Sequence, residues 1–449
     1  MAMVEKLIKN RDLQLSSTAR KRIEMLLDEA SFVEIGAFHE SGGKAAEVIT
    51  GYGTVYGMPV YVFAQNPEID GGAMSVAHAA KISAIYDLAF KTGSPVVGIF
   101  DSIGARLDDG MGVLSALSDL LLKSNNLSGV VPQIAVLSGV CAASSAMLAT
   151  ASDILVMTED AELFLNPPFN SVKGNSGSAY DAVKNGTAHI LSESDEDAMQ
   201  KVRQLLSMLP DNNISPVMPT EPVLPEGGCP YCDLIDAGSD VVFGDGFGEF
   251  ATTAMARING ASCGVVNCKT GEDGLLDGDS CSKITRFVRF CDAFSIPVVT
   301  LADVAGFAED DGSELKTAVA LSHAYSEATT VKISVITERA YGPAFVALCG
   351  KAANADLVLA FPHSIVSPVD PITAASVVYS ERIAAGESRE ELEREYITEK
   401  ASAFAAARVG AVDDIILPKE IRTKVACALS MLSSKRVETL PKKHSNMPL

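Results

Sequence analysis

Two runs of small residues follow apolar segments at points where a strand turns into a helix. Residues 142–147 follow the segment 131–141, and residues 339–346 follow the segment 331–336. The first N–H groups of a helix have no partner within it, and two such donors aimed at one point stabilise a developing oxyanion. Close packing of helix on sheet is the alternative explanation for either turn alone. The presence of both turns favours the oxyanion hypothesis.

A frame that occurs twice in the chain must position these turns. Residues 81–110 and 283–312 align without a gap, 202 positions apart, and ten aligned residues are identical, among them Asp101 with Asp303. Unrelated stretches of this length share about two identities. Each copy predicts a helix, a buried strand and a loop at the strand's carboxyl end, where α/β proteins bind ligands. A repeat of this length indicates a duplicated domain.

Periodicity and turn residues predict the remaining elements. We predict helices at residues 17–27, 76–90, 112–124, 193–209, 388–407 and 421–432, and strands at residues 32–35, 96–100, 131–141, 152–156, 298–302, 331–336 and 355–359. Residues 51–63 predict a hairpin that turns at Tyr56 and Gly57. Residues 209–240 concentrate Pro, Gly and Asn, and contain the predicted boundary between two domains, 1–225 and 226–449.

The composition of the 449-residue chain excludes several classes of protein. Its formal net charge of −21 and its pI near 4.7 argue against nucleic acid or an anionic membrane as the main partner. The amino terminus lacks the apolar core of a signal peptide, and no run approaches the roughly 18 apolar residues of a membrane span. Nine cysteines, several within apolar strands, predict reduced thiols in a cytoplasmic protein.

Four cysteines have the ligand type of a zinc site. Cys229 and Cys232 are two residues apart, but Cys263 and Cys268 are separated by four residues in a predicted strand, and no histidine stands nearby at ligand spacing. We therefore expect no metal and interpret these cysteines as reduced thiols of the core or the linker.

Other patterns favour structural interpretations. The pairs at 108–109 and 310–311 are Asp-Asp before Gly, which favours turns over Mg²⁺ binding. The glycines at 51–57 are not followed by a helix, which disfavours a nucleotide loop. Residues 70–75 precede a predicted helix, and either a bound anion or a tight turn with a cap explains them. The sequence contains no G-x-S-x-G motif and no clustered histidines, which disfavours a Ser/His/Asp catalytic triad.

Motifs along almost the whole chain carry a family resemblance. They are GYGT (51–54), VFAQ (62–65), GG (71–72), AHA (77–79) with Lys81, DSIGAR (101–106), GVVPQ (129–133), RFVRFCDAF (286–294), DVAGF (303–307), AYG (340–342), VDDI (412–415) and PKKH (441–444). On these motifs the chain resembles the carboxyltransferase subunits of biotin-dependent acyl-CoA carboxylases and decarboxylases, of the propionyl-CoA carboxylase β chain and methylmalonyl-CoA decarboxylase α chain type.

The resemblance implies an α/β fold of two tandem, duplicated crotonase-like (ClpP/crotonase) β-β-α superhelix domains. It also implies that acyl-CoA binds the N-terminal domain of one subunit and carboxybiotin the C-terminal domain of another, in a dimer to hexamer. The biotin ureido nitrogen then takes the substrate α-proton, so no protein base is required. Because the chain has no Ala-Met-Lys-Met motif, we expect a separate biotin carboxyl carrier protein, with a biotin carboxylase or a membrane decarboxylase subunit as further partner.

The resemblance also assigns roles to residues. The first oxyanion hole is carried over to Ala143 and Ser144, and the second to Gly342 and Ala344. The residues assigned to the acyl-CoA are Gly71, Gly72, Ala73, Lys81, Gly104, Ala105 and Arg106, and those assigned to biotin are Gly306, Phe307, Pro343 and Val346. The chain departs from the family where Ala143 and Ser144 replace Gly-Gly and where Pro343, which has no N–H, replaces Gly. The alternatives are a sodium-pump decarboxylase α subunit and a non-catalytic subunit that pairs with an active homologue.

Overall fold

The computed structural model describes residues 16–41, 44–166, 177–271, 273–308, 312, 314–351, 353–438 and 440–446. The chain forms two compact units, Met1–Val217 and Met218–Leu449. The domains expected from the sequence, 1–225 and 226–449, divide the chain a few residues later. Among the described residues, every helix is too short or too polar to cross a bilayer.

The N-terminal unit is built on a mixed sheet with helices packed on it. Its strands are β1 (Val33–Ile35), β2 (Glu40–Ser41), β3 (Lys44–Ala45), β4 (Val48–Val55), β5 (Met58–Gln65), β6 (Val96–Ser102), β7 (Gln133–Ala142), β8 (Ile154–Thr158), β9 (Glu162–Phe164) and β10 (Ile190–Ser192). Its helices are α1 (Thr18–Leu26), α2 (Val76–Thr92), α3 (Met111–Leu127), α4 (Ser144–Thr150), α5 (Ala179–Lys184) and α6 (Asp195–Met208).

Strand order in this sheet is β1-β4-β5-β6-β7-β8-β10, with β9 beside the end of β7. The strands β1, β4 and β5 pair antiparallel, whereas β5 to β10 pair parallel. The predicted hairpin is confirmed, since Tyr56 and Gly57 take positive φ values of 51° and 78° between β4 and β5. The parallel arrangement places the loops after β6 and β7 at one edge of the sheet.

The C-terminal unit repeats this arrangement. Its strands are β11 (Val241–Phe243), β12 (Ala251–Ile258), β13 (Ala261–Cys268), β14 (Leu275–Leu276), β15 (Val298–Val304), β16 (Gly306–Phe307), β17 (Lys332–Tyr341), β18 (Leu357–Ala360), β19 (Ile365–Ser367) and β20 (Asp414–Ile415). Its helices are α7 (Pro230–Leu234), α8 (Gly278–Ala293), α9 (Glu314–Glu327), α10 (Gly342–Cys349), α11 (Pro371–Val378), α12 (Ser380–Ala384), α13 (Arg389–Tyr396), α14 (Ala403–Arg408) and α15 (Ile421–Leu432).

The two sheets share one topology. The second sheet has the order β11-β12-β13-β15-β17-β18-β20 with β19 beside β17, which matches the first sheet strand for strand. Each sheet even has its irregularity at the same place, because the register shifts between Phe100 and Ser102 in one and between Ala302 and Val304 in the other. The predicted duplication of an α/β domain is thereby confirmed.

The repeated aspartates at these irregularities are each neutralised by an arginine. Arg22 Nη1 lies 2.8 Å from Asp101 Oδ2, and Arg339 Nε lies 2.7 Å from Asp303 Oδ1. The two arginines come from different elements, α1 in the N-terminal unit and β17 in the C-terminal unit. The sequence repeat therefore contains the two aspartates but not their arginine partners. Each pair braces the carboxyl end of a central strand.

The repeated lysine of the frame is buried in both units. Lys81 Nζ donates to Val48 O, and Lys283 Nζ donates to Gly244 O at 3.1 Å and to Phe247 O. Burial disfavours the charged ammonium and lowers the pKa of each lysine to about 8. The lysines therefore tie a helix to neighbouring backbone.

Two expectations are corrected. The single helix expected at residues 388–407 is wrong, because a π-type turn, Ile397–Ala401, follows α13 and the extended Ser402 then caps α14 by accepting the Ala405 N–H. The expectation of reduced thiols is wrong for Cys229 and Cys232, which form a disulfide with a Cα–Cα distance of 5.1 Å. A single turn at the start of α7 brings the two sulfurs into bonding range.

Candidate active site

The first predicted turn connects β7 to α4. Ala143 has a φ of 54°, a value that favours glycine, and its N–H donates to Phe164 O at 2.8 Å. Ser144 is the first residue of α4, so helix geometry leaves its N–H without an intrahelical partner. The turn therefore presents the N–H of Ser144, while the N–H of Ala143 holds β9 in place.

The loops assigned to acyl-CoA converge on this turn. A Cβ built on Gly104 would lie 3.4 Å from the Ala143 Cβ, and one built on Gly72 would lie only 2.1 Å from Asp101 O. Met74 N–H donates to Gly104 O at 2.7 Å, which aligns residues 71–74 with residues 103–106. The structure thus brings the loop of Gly71, Gly72 and Ala73 against the loop of Gly104 and Ala105, and Gly104 lies beside Ala143.

The two cations assigned to acyl-CoA have partners inside the protein. Arg106 Nη1 lies 2.7 Å from Glu47 Oε1, and its Nη2 lies 2.9 Å from Asp109 Oδ1. Lys81 is 3% exposed and donates to Val48 O. Both side chains lie behind the loops, where they brace backbone and carboxylates.

A buried polar chain that the sequence reasoning missed lies beneath the turn. Gln65 Oε1 accepts the Asp101 N–H at 3.0 Å and the Ser145 hydroxyl at 3.3 Å, and its Nε2 lies 3.4 Å from His78 Nε2. His78 Nδ1 in turn lies 3.7 Å from Glu47 Oε2. The motifs VFAQ and AHA were the available signal, but only the fold places their side chains in contact.

Glu47 is the charged end of this chain. Burial opposes its ionisation, but the His78 imidazole and the Ser75 hydroxyl, which donates at 2.7 Å, prevail and lower the pKa of the carboxyl to about 2. Burial lowers the pKa of His78, so its ring is neutral at pH 7. A fixed negative charge paired with Arg106 therefore stands behind the acyl-CoA loops.

The start of α2 is capped by its own surroundings. Val76 N–H donates to Asp109 Oδ2 at 2.7 Å, and His78 N–H donates to Ser75 Oγ at 3.1 Å. Of the two explanations for residues 70–75, the tight turn with a cap is the one that the contacts match. Asp109 lies in a turn, and its carboxylate anchors the start of α2. The Asp-Asp pair at 310–311 lies outside the described residues.

Metal-ligating side chains do not converge in the part of the chain that the structure describes. No group of three or more His, Cys, Asp or Glu side chains there is arranged to hold an ion. Cys229 and Cys232 are bonded to each other, and Cys263 and Cys268 are buried in β13.

The second predicted turn connects β17 to α10. Gly342 has a φ of 46°, and a Cβ at this position would lie 2.8 Å from Pro368 O, so the turn requires glycine. Pro343 follows within the first turn of α10, where a missing N–H is tolerated. The first-turn donors that remain are the N–H groups of Gly342 and of the buried Ala344.

A groove of about 1640 Å³ opens at this turn. Phe307, Gly342, Pro343 and Val346, all assigned to the biotin side, line it, and Gly306 precedes Phe307 in β16. Its wall also includes apolar and polar residues that the sequence reasoning missed, namely Leu315, Val319, His323, Glu399, Lys400 and Arg408. The spacing of Leu315, Val319 and His323, four residues apart on α9, was the only signal for this wall.

The two turns are structural counterparts. Ala143 and Gly342 each follow a ten-residue strand, β7 or β17, and each has a positive φ, 54° and 46°. Ser144 and Pro343 are the next residues of their helices, as are Ser145 and Ala344 after them. The same backbone turn therefore carries a donor at Ser144 and none at Pro343.

Comparisons with known proteins agree with this geometry. Residues 14–447 match the family of the carboxyl transferase domain. The methylmalonyl-CoA decarboxylase subunit alpha of Veillonella parvula is 35% identical, over 99% of this chain and 96% of its own. The propionyl-CoA carboxylase beta chain of Saccharopolyspora erythraea is 37% identical, over 96% of this chain and 90% of its own.

A solved structure, the transcarboxylase 12S hexamer with methylmalonyl-coenzyme A and methylmalonic acid bound, superposes with a TM-score of 0.92. It is 31% identical and covers 99% of this chain and 98% of its own. The tandem crotonase-like fold and the resemblance expected from the motifs are confirmed. This chain belongs to the carboxyl transferase domain family.

Proposed function

We propose that this protein transfers a carboxyl group between carboxybiotin on a carrier protein and a short acyl-CoA of the propionyl or acetyl type. The observation that carries the proposal is the pair of matching strand-to-helix turns, one in each unit of a carboxyl transferase chain, whose first-turn N–H groups are left by helix geometry for a ligand. Carboxyl transfer at a thioester α-carbon requires stabilisation of an enolate oxygen, and backbone donors supply it.

On the acyl-CoA side, the Ser144 N–H is the donor that we assign to the thioester oxygen. Gly104 lies against Ala142 and Ala143 of the same turn, and a side chain at Gly72 would collide with Asp101 O of the neighbouring loop. A well-placed donor of this kind lowers a barrier by ~3 to 4 kcal/mol. The N-terminal unit thus acts by placing the thioester oxygen of the acyl group against the fixed dipole of the Ser144 N–H.

On the biotin side, the groove at α10 fits a ring carried on a flexible tether. Gly342 allows the backbone to approach, and Val346 and Pro343 are exposed at the wall. We assign the N–H groups of Gly342 and Ala344 to the ureido oxygen and the apolar wall to the ring. Bound biotin would supply the carboxyl group and, after its loss, the nitrogen that accepts the α-proton. The residues of this chain bind the acyl-CoA and the biotin and orient them for the transfer.

Partners follow from the same proposal. The chain has no biotinylation motif, and its relatives are named as subunits of carboxylases, decarboxylases and a 12S carboxyltransferase. The transcarboxylase 12S neighbour assembles as a hexamer. We therefore infer a homo-oligomer, from dimer to hexamer, that works with a biotin carboxyl carrier protein and with a biotin carboxylase or a membrane decarboxylase subunit.

A second candidate is the reverse direction, as the α subunit of a methylmalonyl-CoA decarboxylase. It is supported by the relatives of that name in Veillonella parvula and Propionigenium modestum, which are 35% and 34% identical to this chain. Both candidates use the same two turns, so the direction depends on the partner subunits.

The test measures transfer in both directions. Purified protein is mixed with carboxylated carrier protein and acetyl-, propionyl- or butyryl-CoA, and carboxylated acyl-CoA is quantified. The reverse assay supplies methylmalonyl-CoA and uncarboxylated carrier. We expect transfer with propionyl- or acetyl-CoA. Failure in both directions with every chain length contradicts the proposal and supports a non-catalytic subunit.

A matched pair of variants tests the groove. Val346→Trp fills the wall of the groove, whereas Val377→Trp makes the same change on α11, away from the residues that line it. The two valines are 58% and 71% exposed, so both variants are expected to fold. We expect Val346→Trp to slow transfer roughly tenfold or more, because the biotin ring is displaced, and Val377→Trp to retain activity. Equal rates would remove the groove from the proposal.

A further inference from the structure

The disulfide at the start of α7 is less buried than most of the other cysteines. Cys229 and Cys232 are bonded, and both are half-buried. All nine cysteines lie within the described residues, and of the seven free ones six are buried and only Cys427 is exposed. The bonded pair is therefore the one set of adjacent sulfurs that external thiols can reach.

Contacts other than the disulfide also order this turn. Cys232 N–H donates to Cys229 Sγ at 3.1 Å, which makes Cys229 the cap of α7. Pro230 fixes the first helical residue, and the Tyr231 hydroxyl donates to Asp240 Oδ2 at 2.8 Å while its ring packs on the core. A reduced pair would remain in this turn with its sulfurs adjacent.

The disulfide is poorly suited to act as a staple. The stabilisation from a disulfide increases with the length of the closed loop, and this loop closes between residues only three positions apart. The surrounding contacts of Tyr231 already order the turn. A half-buried disulfide that closes a short loop in an ordered turn is suited to exchange with other thiols.

We propose that Cys229 and Cys232 form a reversible dithiol–disulfide couple, a redox modification site distinct from the carboxyl transfer turns. In reduction, an external thiolate attacks Cys229 Sγ, the bond to Cys232 breaks, and Cys232 leaves as a thiolate that takes a proton from water. A second external thiolate attacks the external sulfur of the mixed disulfide and releases Cys229 with a small-molecule disulfide. The backbone N–H that reaches Cys229 stabilises its thiolate in this last step.

The test uses the folded full-length protein in buffers of reduced and oxidised glutathione. After equilibration, accessible thiols are alkylated in the folded protein, and the samples are then acid-quenched and analysed by mass spectrometry. We expect the pair to change from disulfide to dithiol as reduced glutathione increases, with native-reactive thiols rising from one, Cys427, to three. A pair that stays in one state across the whole series, or that is reduced only when the circular dichroism of the fold is lost, overturns the proposal.

Variants assign the exchange to these sulfurs. Cys232→Ser is expected to trap glutathione on Cys229, because the resolving sulfur is gone. Cys427→Ser is the matched control and is expected to leave the couple unchanged. Uptake of zinc by the reduced wild-type protein, lost in Cys232→Ser, would replace the couple with a metal site and overturn the proposal.

Discussion

Ser145 Oγ donates to Gln65 Oε1 at 3.3 Å, and this bond ties the second residue of helix α4 to the end of strand β5. The same oxygen accepts the Asp101 N–H at 3.0 Å. Gln65 therefore joins the ends of β5 and β6 to the start of α4, and Ser144, the proposed donor, is the residue next to Ser145.

Gln65→Leu tests this link. The variant loses both bonds and leaves a buried N–H and hydroxyl unpaired, so we expect a loss of ~1 to 3 kcal/mol in the free energy of unfolding. Because α4 is no longer held to β5, we also expect kcat to fall roughly tenfold or more at temperatures well below the melting point. Steady-state transfer kinetics and denaturant unfolding measure the two effects.

Gln133→Leu provides the control. Gln133 is equally buried and bonds to Ser124 through both ends of its amide, at 2.9 and 3.0 Å, but it lies at the opposite end of β7 from the turn. We expect a comparable loss of stability with kcat preserved. If both variants lose kcat to the same extent, Gln65 has no positioning role.

Ser144→Pro removes the proposed donor N–H. The counterpart turn already combines a positive φ at Gly342 with proline at the next position. We expect kcat to fall about 10²-fold, the cost of losing one oxyanion donor. Ser144→Ala keeps the N–H and removes only the hydroxyl, and we expect it to retain most of the activity. A proline variant that folds and turns over normally would take the Ser144 N–H out of the mechanism.

Pro343→Gly makes the converse change at the groove. It adds an N–H to the first turn of α10, and we expect kcat to rise by roughly tenfold as the ureido oxygen gains a donor. Loss of the proline ring restores freedom to the unfolded chain, so we expect a loss of about 1 kcal/mol of stability.

Pro371→Gly makes the same substitution at the start of α11, away from the lining of the groove. It should lower the melting temperature without raising kcat. If kcat rises in neither variant, the remaining donors of α10 already suffice for the ureido oxygen.

Lys81 makes stability depend on alkaline pH. Burial lowers its folded-state pKa to about 8, from 10.5 in the unfolded chain. Between these values the unfolded chain binds more protons, so this group's contribution makes the free energy of unfolding rise with pH, by up to about 3 kcal/mol. Lys81→Met lacks this contribution, and we expect its stability relative to wild type to decline from pH 8 to 10.5.

Lys123→Met, a change at a surface lysine of α3, controls for the loss of one positive charge. Unfolding in urea at a series of pH values measures the difference between each variant and the wild type. A difference for Lys81→Met that does not change across this range would mean that Lys81 keeps its proton in the folded state.

Short-range sequence patterns predicted the strands, the hairpin and the duplication. The apolar runs of β6 and β15, the turn at Tyr56 and Gly57 and the small residues after β7 and β17 are short-range signals, and the structure has them where they were expected. The one helix that failed, at 388–407, failed at Ser402, because its side chain bonds the backbone ahead of it and starts a new helix.

The sequence by itself determined that two copies of an α/β frame end in strand-to-helix turns whose first-turn amides have no partner within the helix, because strand burial and helix starts are local properties of the chain. Only the tertiary structure decided that Phe164 O accepts the Ala143 N–H and that Lys81 is buried with its ammonium donating to Val48 O. It also decided that Arg106 forms ion pairs with Glu47 and Asp109. These partners are distant in sequence, and which polar groups a site has left for a ligand depends on the partners that folding brings to them.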